Sequence, residues 1–197
     1  MLYFNDELDK ISDEEVLKII STFPEQRKEK ALRFKFALGR KECAIAYQLL
    51  CEGLRKEYGI EEMPTFEYGE HGKPYIVGHP EIHFNMSHCK KVVMCYVSNS
   101  PVGIDCEMIG RGNESLINYT MNEDEIQQIN TAKNPKAEFI RLWTQKEAVL
   151  KLTGEGINDD MKSVLNGVES KNIKIETFVN ENKGYVYSIA TNLRHKV

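Results

Sequence analysis

Two short segments of this chain carry residue types suited to metal and phosphate chemistry. The first is Gly103-Ile104-Asp105-Cys106-Glu107. The second, about 40 residues later, is Trp143-Thr144-Gln145-Lys146-Glu147-Ala148-Val149-Leu150-Lys151. In an extended strand alternate side chains share a face, so Asp105 and Glu107 point the same way. On a helix Glu147 and Lys151 are one turn apart and share a face. Three carboxylates converging beside a lysine can hold a hard cation such as magnesium together with a phosphate-bearing substrate. Taken singly, each segment has an ordinary reading: solvated acids at a strand end, or a helical i,i+4 salt bridge worth a few tenths of a kcal/mol. Together they point to phosphoryl-type chemistry.

Other residues could serve a polyanion. The stretch His83-Phe84-Asn85-Met86-Ser87-His88 reads as an apolar strand running into a polar loop, whose hydroxyl and imidazole could reach a phosphate. The turn His71-Gly72-Lys73-Pro74 offers one cation on a restricted backbone. A basic run holds Arg27, Lys28, Lys30, Arg33, Lys35, Arg40 and Lys41. Arg33 and Arg40 would share a face if one helix ran through both, and such a pair could grip a terminal phosphate through charge-assisted hydrogen bonds.

Several elements must position these groups. Met1 to Phe4 reads as a short strand. Ser12 and Glu15 form a capping box ahead of an apolar-periodic helix. Pro24 opens a second helical region reaching about Arg33, and Ala37 to Tyr58 a third, closed by Gly59. Strand texture follows at Thr65 to Tyr68, Ile82 to Asn85, Val92 to Val97 and Val102 to Glu107, with a turn at Asn99-Ser100-Pro101. Asn122 caps a helix reaching about Thr131. Another starts at Pro135 or Lys136 and ends at Gly154. Alternation from Ile173 and again from Tyr185 makes a terminal hairpin. No literal repeat is present. The order strand–helices–strands nevertheless occurs twice and divides near Ser100. The expected fold is therefore α+β, with an N-terminal half, 1–100, and a C-terminal half, 101–197, and a ligand groove between them.

The bulk properties set bounds. The chain has 197 residues, 41% hydrophobic and 28% charged, which is ordinary for a soluble globular protein. Its net charge of −4 gives no overall field for nucleic acid, so no nucleic-acid partner is expected. The longest charge-free stretch, roughly Val92 to Ile104, falls short of the about 20 apolar residues a membrane span needs. The opening MLYFNDELDK is acidic and lacks a basic n-region, so a cytoplasmic location is expected. The five cysteines include no CxxC pair, which favours reduced, mostly buried thiols over a zinc site.

Taken in order, Gly72-Lys73-Pro74, Phe84-Asn85-Met86-Ser87-His88, Gly103 to Glu107 and Trp143 to Lys151 resemble the successive motifs of the 4′-phosphopantetheinyl transferase superfamily. Length and the presence of both halves resemble its monomeric, Sfp-type branch, a pseudo-twofold monomer of two similar α/β halves. The resemblance implies magnesium-dependent transfer of 4′-phosphopantetheine from coenzyme A to a serine of an apo acyl or peptidyl carrier protein, releasing adenosine 3′,5′-bisphosphate. It implies that Asp105, Glu107 and Glu147 bind magnesium and that Lys151 faces the α-phosphate, with Lys146 assisting. Glu147 and Lys151 would be the catalytic pair. Lys73, Ser87 and His88 would hold coenzyme A phosphates, and Arg33 and Arg40 its 3′-phosphate. The segment Met108 to Glu123 would dock the carrier, with Leu116, Ile117, Tyr119 and Met121 as apolar contacts. A non-catalytic coenzyme A or nucleotide-binding module and a metal-dependent phosphohydrolase are the competing readings.

Overall fold

The structure, a computed structural model, describes residues 1–69, 72–154, 161–168 and 170–193. Strand β1 (Leu2–Asn5) leads into helices α1 (Asp13–Ser21), α2 (Glu25–Leu32) and α3 (Ala37–Tyr58). A small hairpin of β2 (Phe66–Tyr68) and β3 (Pro74–Ile76) precedes β4 (His83–Cys89) and β5 (Val92–Ser98). These close an antiparallel sheet of order β1-β5-β4. The chain continues through β6 (Val102–Met108), α4 (Glu114–Thr120), α5 (Glu123–Thr131), α6 (Pro135–Thr153), β7 (Ile173–Asn180) and β8 (Tyr185–Asn192). A second antiparallel sheet has the order β6-β8-β7. The class is α+β. In each three-stranded sheet the strand that enters first pairs with the one that enters last.

Local chemistry sets the helix ends. Ser12 and Glu15 make the reciprocal capping box at the start of α1, and Asn122 and Glu125 make another at α5. Asn134 accepts from the Ala137 amide at 3.1 Å, and Pro135 occupies the first turn of α6, where no amide donor is needed. Both long helices end on a left-handed glycine, Gly59 (φ 70°) and Gly154 (φ 81°).

α3 covers the first sheet with Ile45, Leu49, Leu50 and Leu54 against Val93, Cys95 and Val97. α6 covers the second, burying Ala148, Val149 and Leu152 against Ile173 and Ala190. The opposite faces of the sheets meet through Cys89, Val92, Met94, Ile104 and Cys106. β6 comes so close to α6 that a Cβ at Gly103 would overlap the Ala148 carbonyl, so this position accepts only hydrogen.

Three local expectations need correction. The polar stretch Asn85 to His88 is strand, not loop: β4 runs to Cys89, paired residue by residue with β5 out to Cys89 opposite Val92. Arg33 and Arg40 do not share a helix, because α2 ends at Leu32 and Phe36 is extended (φ −98°, ψ 144°) before α3 starts. Lys73 leads into a strand, β3, whose Pro74 faces Tyr68 of β2. His71 lies outside the described residues. Among the described residues no helix is long and apolar enough to cross a membrane.

Candidate functional site

Asp105 and Glu107 lie on β6, both nearly buried at 5% and 9% exposure. α6 brings Glu147 (9% exposed) and Lys151 over that strand, and the approach that Gly103 allows is what lets them reach it. The Lys151 ammonium donates to Asp105 Oδ1 at 2.7 Å, to the Ile104 carbonyl at 3.2 Å and to Ser87 Oγ at 3.3 Å. The other Asp105 oxygen, Oδ2, is buried and has no hydrogen-bond partner. Glu107 pairs with the Arg111 guanidinium from the turn after β6. Burial, then repulsion from Asp105, pushes the Glu147 carboxyl above the usual carboxylate range. Lys151 and Arg111 pull the other way, and Glu107 adds further repulsion. Glu147 therefore feels both strand acids and both nearby cations.

A cavity of about 660 Å³ opens beside this cluster, with Glu42, His88, Lys90, Glu107 and Arg111 in its lining. His88 is half exposed there, with Nδ1 3.5 Å from Glu42 on α3. Cations at the rim and acids at the back suit a phosphate ester held beside a carboxylate cluster.

Residues 101–192 match the family model described as the 4′-phosphopantetheinyl transferase superfamily, and that segment carries Asp105, Glu107, Glu147 and Lys151. Residues 101–192 therefore carry this superfamily's domain. It is 32% identical to 4′-phosphopantetheinyl transferase psf-1 of Bacillus pumilus over 70% of this chain and 60% of that protein. It is 29% identical to a 4′-phosphopantetheinyl transferase of Bacillus subtilis over 72% of this chain and 64% of that one. To Sfp of Bacillus subtilis strain 168 it is 26% identical over 75% of this chain and 67% of the other. The chain thus spans somewhat under two thirds of the length of the first two relatives.

The superfamily motifs divide into those that meet at the cluster and those that hold it from behind. Asp105, Glu107, Glu147 and Lys151 meet. Ser87, 6% exposed, also reaches them: its hydroxyl donates to Asp105 Oδ1 at 3.0 Å and accepts from the Cys106 amide at 3.1 Å. Lys73 turns away from the cavity and donates to the Lys151 and Leu152 carbonyls at 2.7 and 3.0 Å, capping the C-terminus of α6. Burial lowers its pKa.

Lys146 is not brought to the cluster. It is fully buried on the other side of α6, paired with Glu125 at 2.8 Å and donating to the Met161 and Thr120 carbonyls. Its neighbour in sequence, Glu147, points elsewhere because consecutive helical residues do not share a face. Arg33 is exposed beside Glu29, 3.6 Å away, while Arg40 donates to the Phe34 and Lys35 carbonyls. Of the four apolar docking candidates, Met121 is core, and Leu116 and Ile117 pack against the same cluster. Tyr119 alone is well exposed, at 56%.

Sequence reasoning missed Arg111, Glu42 and the structural use of Asn85, whose Oδ1 accepts from the Ile104 amide at 2.9 Å. Strand periodicity carried a signal for Asn85, since it sits two residues before Ser87 and shares its face. Nothing local marked Arg111 as a partner for Glu107.

The cluster's donor set bears on magnesium. Among the described residues no three His, Cys, Asp or Glu side chains converge closely enough to enclose a metal ion. The chemistry of the set still fits a hard cation. All three donors are carboxylates, Asp105 Oδ2 is a buried acceptor without a partner, and burial together with the two strand acids holds the Glu147 carboxyl above the usual carboxylate range.

Proposed function

We propose that this protein transfers 4′-phosphopantetheine from coenzyme A to a serine of an apo acyl or peptidyl carrier protein and releases adenosine 3′,5′-bisphosphate. We further propose that it acts as a cytoplasmic monomer whose halves, 1–100 and 101–197, form a pseudo-twofold pair around the groove. The matching strand order of the two sheets supports the pseudo-twofold pairing of the halves. The observation that carries the first is the 2.7 Å contact of Lys151 with buried Asp105, with Glu147 alongside, on the segment that matches the superfamily.

In this reading the serine oxygen attacks the pantetheine-side phosphorus of the coenzyme A pyrophosphate. A P–O bond forms there and the bridging P–O bond breaks, leaving with the nucleotide. Lys151 holds the phosphate of the departing nucleotide and offsets the charge that develops on it. Glu147 takes the serine proton. Asp105, Glu107 and Glu147 are the residues that would hold magnesium, which when bound neutralises the pyrophosphate and polarises its phosphorus. His88 at the cavity rim contacts a coenzyme A phosphate. Arg40 and Arg33 are the candidates for the 3′-phosphate, now as separate groups rather than one helical face.

The test is mass spectrometry of several apo carriers incubated with the protein, coenzyme A and magnesium. A gain of one phosphopantetheine on serine, lost in a folded Asp105→Ala variant, is the expected result. Hydrolysis of coenzyme A without a carrier would replace the transferase by a phosphohydrolase. Tight coenzyme A binding with no turnover on any carrier would leave a binding module. Undiminished transfer by folded Asp105→Ala would remove Asp105 from the site.

A further inference from the structure

In an antiparallel ladder alternate residues turn their backbone groups toward the partner strand. The Ile109 amide donates to the Gly184 carbonyl at 2.8 Å at the end of the β6–β8 pairing, so odd-numbered positions of β6 face β8. The amides of Ile104 and Cys106 face the other way, toward β4. β4 belongs to the other sheet and has β5 as its ladder partner. Its side chains meet the two amides instead. Asn85 Oδ1 accepts from Ile104 at 2.9 Å, and Ser87 Oγ accepts from Cys106 at 3.1 Å. Two acceptors two residues apart face two donors two residues apart, with Asp105 between the rungs. The upper rung also touches the Asp105 carboxylate, because the Ser87 hydroxyl donates to Oδ1. At the lower rung, among the described residues, the Asn85 side chain hydrogen-bonds to backbone and to no acid.

We propose that Asn85 is a positioning residue. Through the Ile104 amide it sets the height of β6 against β4, and so the reach of Asp105 to Lys151. Ile104 is held at both of its backbone polar groups, by Asn85 at the amide and by Lys151 at the carbonyl. A shift of β6 along β4 would break both contacts together and carry Asp105 away from Lys151. The consequence for cation binding rests on the transferase reading. The consequence for the Asp105–Lys151 contact does not.

The experiment uses the full chain with Asn85→Leu, which keeps the size and removes the acceptor, and Asn85→Asp, which keeps an acceptor oxygen. Asn85→Ala is the second acceptor-free variant should Asn85→Leu not fold. Three readouts are taken: amide hydrogen exchange by NMR, Mn²⁺ affinity by calorimetry without coenzyme A, and a crystal structure of the acceptor-free variant. In Asn85→Leu, exchange at Ile104 is expected to speed at least tenfold, with buried amides of α3 unchanged, and Mn²⁺ affinity to fall at least tenfold. In Asn85→Asp both stay within threefold of wild type or, for Mn²⁺, tighten. A general loss of stability would move the α3 amides too and would not be rescued by aspartate. Unchanged Ile104 exchange in Asn85→Leu, or faster exchange with Asp105 still 2.7 Å from Lys151 and wild-type Mn²⁺ affinity, overturns the proposal. If the wild-type protein binds no Mn²⁺, the metal part of the transferase reading fails. Asn85 is then judged on the Asp105–Lys151 contact alone: its loss in the variant crystal upholds the role and its persistence ends it.

Discussion

The ends of α3 and α6 carry the same four-residue spacing and do different things with it. Counting back from the capping glycines, Gly59 and Gly154, α3 has Glu52 and Lys56 where α6 has Glu147 and Lys151. On α3 the two side chains bond to each other at 2.5 Å in solvent, 38% and 55% exposed. On α6 the lysine goes instead to Asp105 on the strand beneath, and the glutamate is buried. The difference lies below the helices. β6 presents two acids and a glycine that admits the α6 backbone, whereas β1 presents Tyr3, whose hydroxyl bonds Glu57. Under α3 the close approach is made by a glycine of the helix: a Cβ at Gly53 would meet Val97 and the Tyr3 ring. An i,i+4 Glu–Lys spacing thus gives an exposed surface pair or two members of a buried charge cluster, depending on the strand it lies over.

The comparison is tested most severely one residue before each glutamate. α6 has Lys146 there, fully buried with its ammonium on Glu125, and α3 has half-buried Cys51. Lys146→Met leaves the Glu125 carboxylate, 7% exposed, without its cation, and is expected to cost about 3–5 kcal/mol in urea unfolding. Cys51→Ala should cost about 1 kcal/mol. Similar losses from the two would mean that the buried pair contributes nothing special to seating α6.

Next in size is the effect on chemistry. If transfer is the activity, Lys151→Met should lower it about 10²–10³-fold, the scale of removing one preorganised charge-stabilising donor. Lys56→Met should leave it within about twofold. Single-turnover transfer to an apo carrier measures both, and equal effects would erase the distinction between the two helix ends.

The glycines separate the halves by a smaller margin. Gly103→Ala places a methyl group into the Ala148 carbonyl, backbone that cannot step aside, and should cost about 3 kcal/mol. Gly53→Ala meets only side chains, at 2.7 Å from Val97 and 3.1 Å from Tyr3, which can shift. There the about 0.5–1 kcal/mol gained by replacing a mid-helix glycine offsets much of the crowding, leaving a net loss of about 1 kcal/mol or less. A larger loss at Gly53 than at Gly103 would show that the helix, not the strand, sets the closer packing.

What the sequence made legible follows the same division between local and tertiary causes. Capping boxes at Ser12 and Asn122, the Gly59 and Gly154 stops and the terminal hairpin are written in a few adjacent residues and were readable. So was the pairing of Asp105 and Glu107 on one strand face with Glu147 and Lys151 on one helix face. Residue type, however, says nothing of direction. Lys146 and Lys73 read as phosphate ligands because both are cations inside motifs; burial sends one to Glu125 and the other to the end of α6. Asn85 and Ser87 read as a loop because they are polar. The adjoining β6 amides, far off in sequence, are what make polar residues stable in a strand there. Met121 read as a contact surface because it is apolar, and it is core for the same reason.

The smallest expected effect isolates the environment from the residues. A double-mutant cycle on Glu52 and Lys56 should return a coupling of about 0.3–0.5 kcal/mol, as exposed helical pairs do, and 1 M salt should remove most of it. The same cycle on Asp105 and Lys151 pairs a carboxylate at 7% side-chain exposure with an ammonium at 29%, so salt reaches it less and the coupling should be larger and persist. Each cycle removes one lysine at the same distance from a capping glycine, on helices of similar length, so propensity and capping cancel between them. What is left is the strand. If the two couplings agree in size and in salt response, burial beneath α6 adds nothing to Lys151, and the two helix ends differ only in which neighbour their lysine happens to touch.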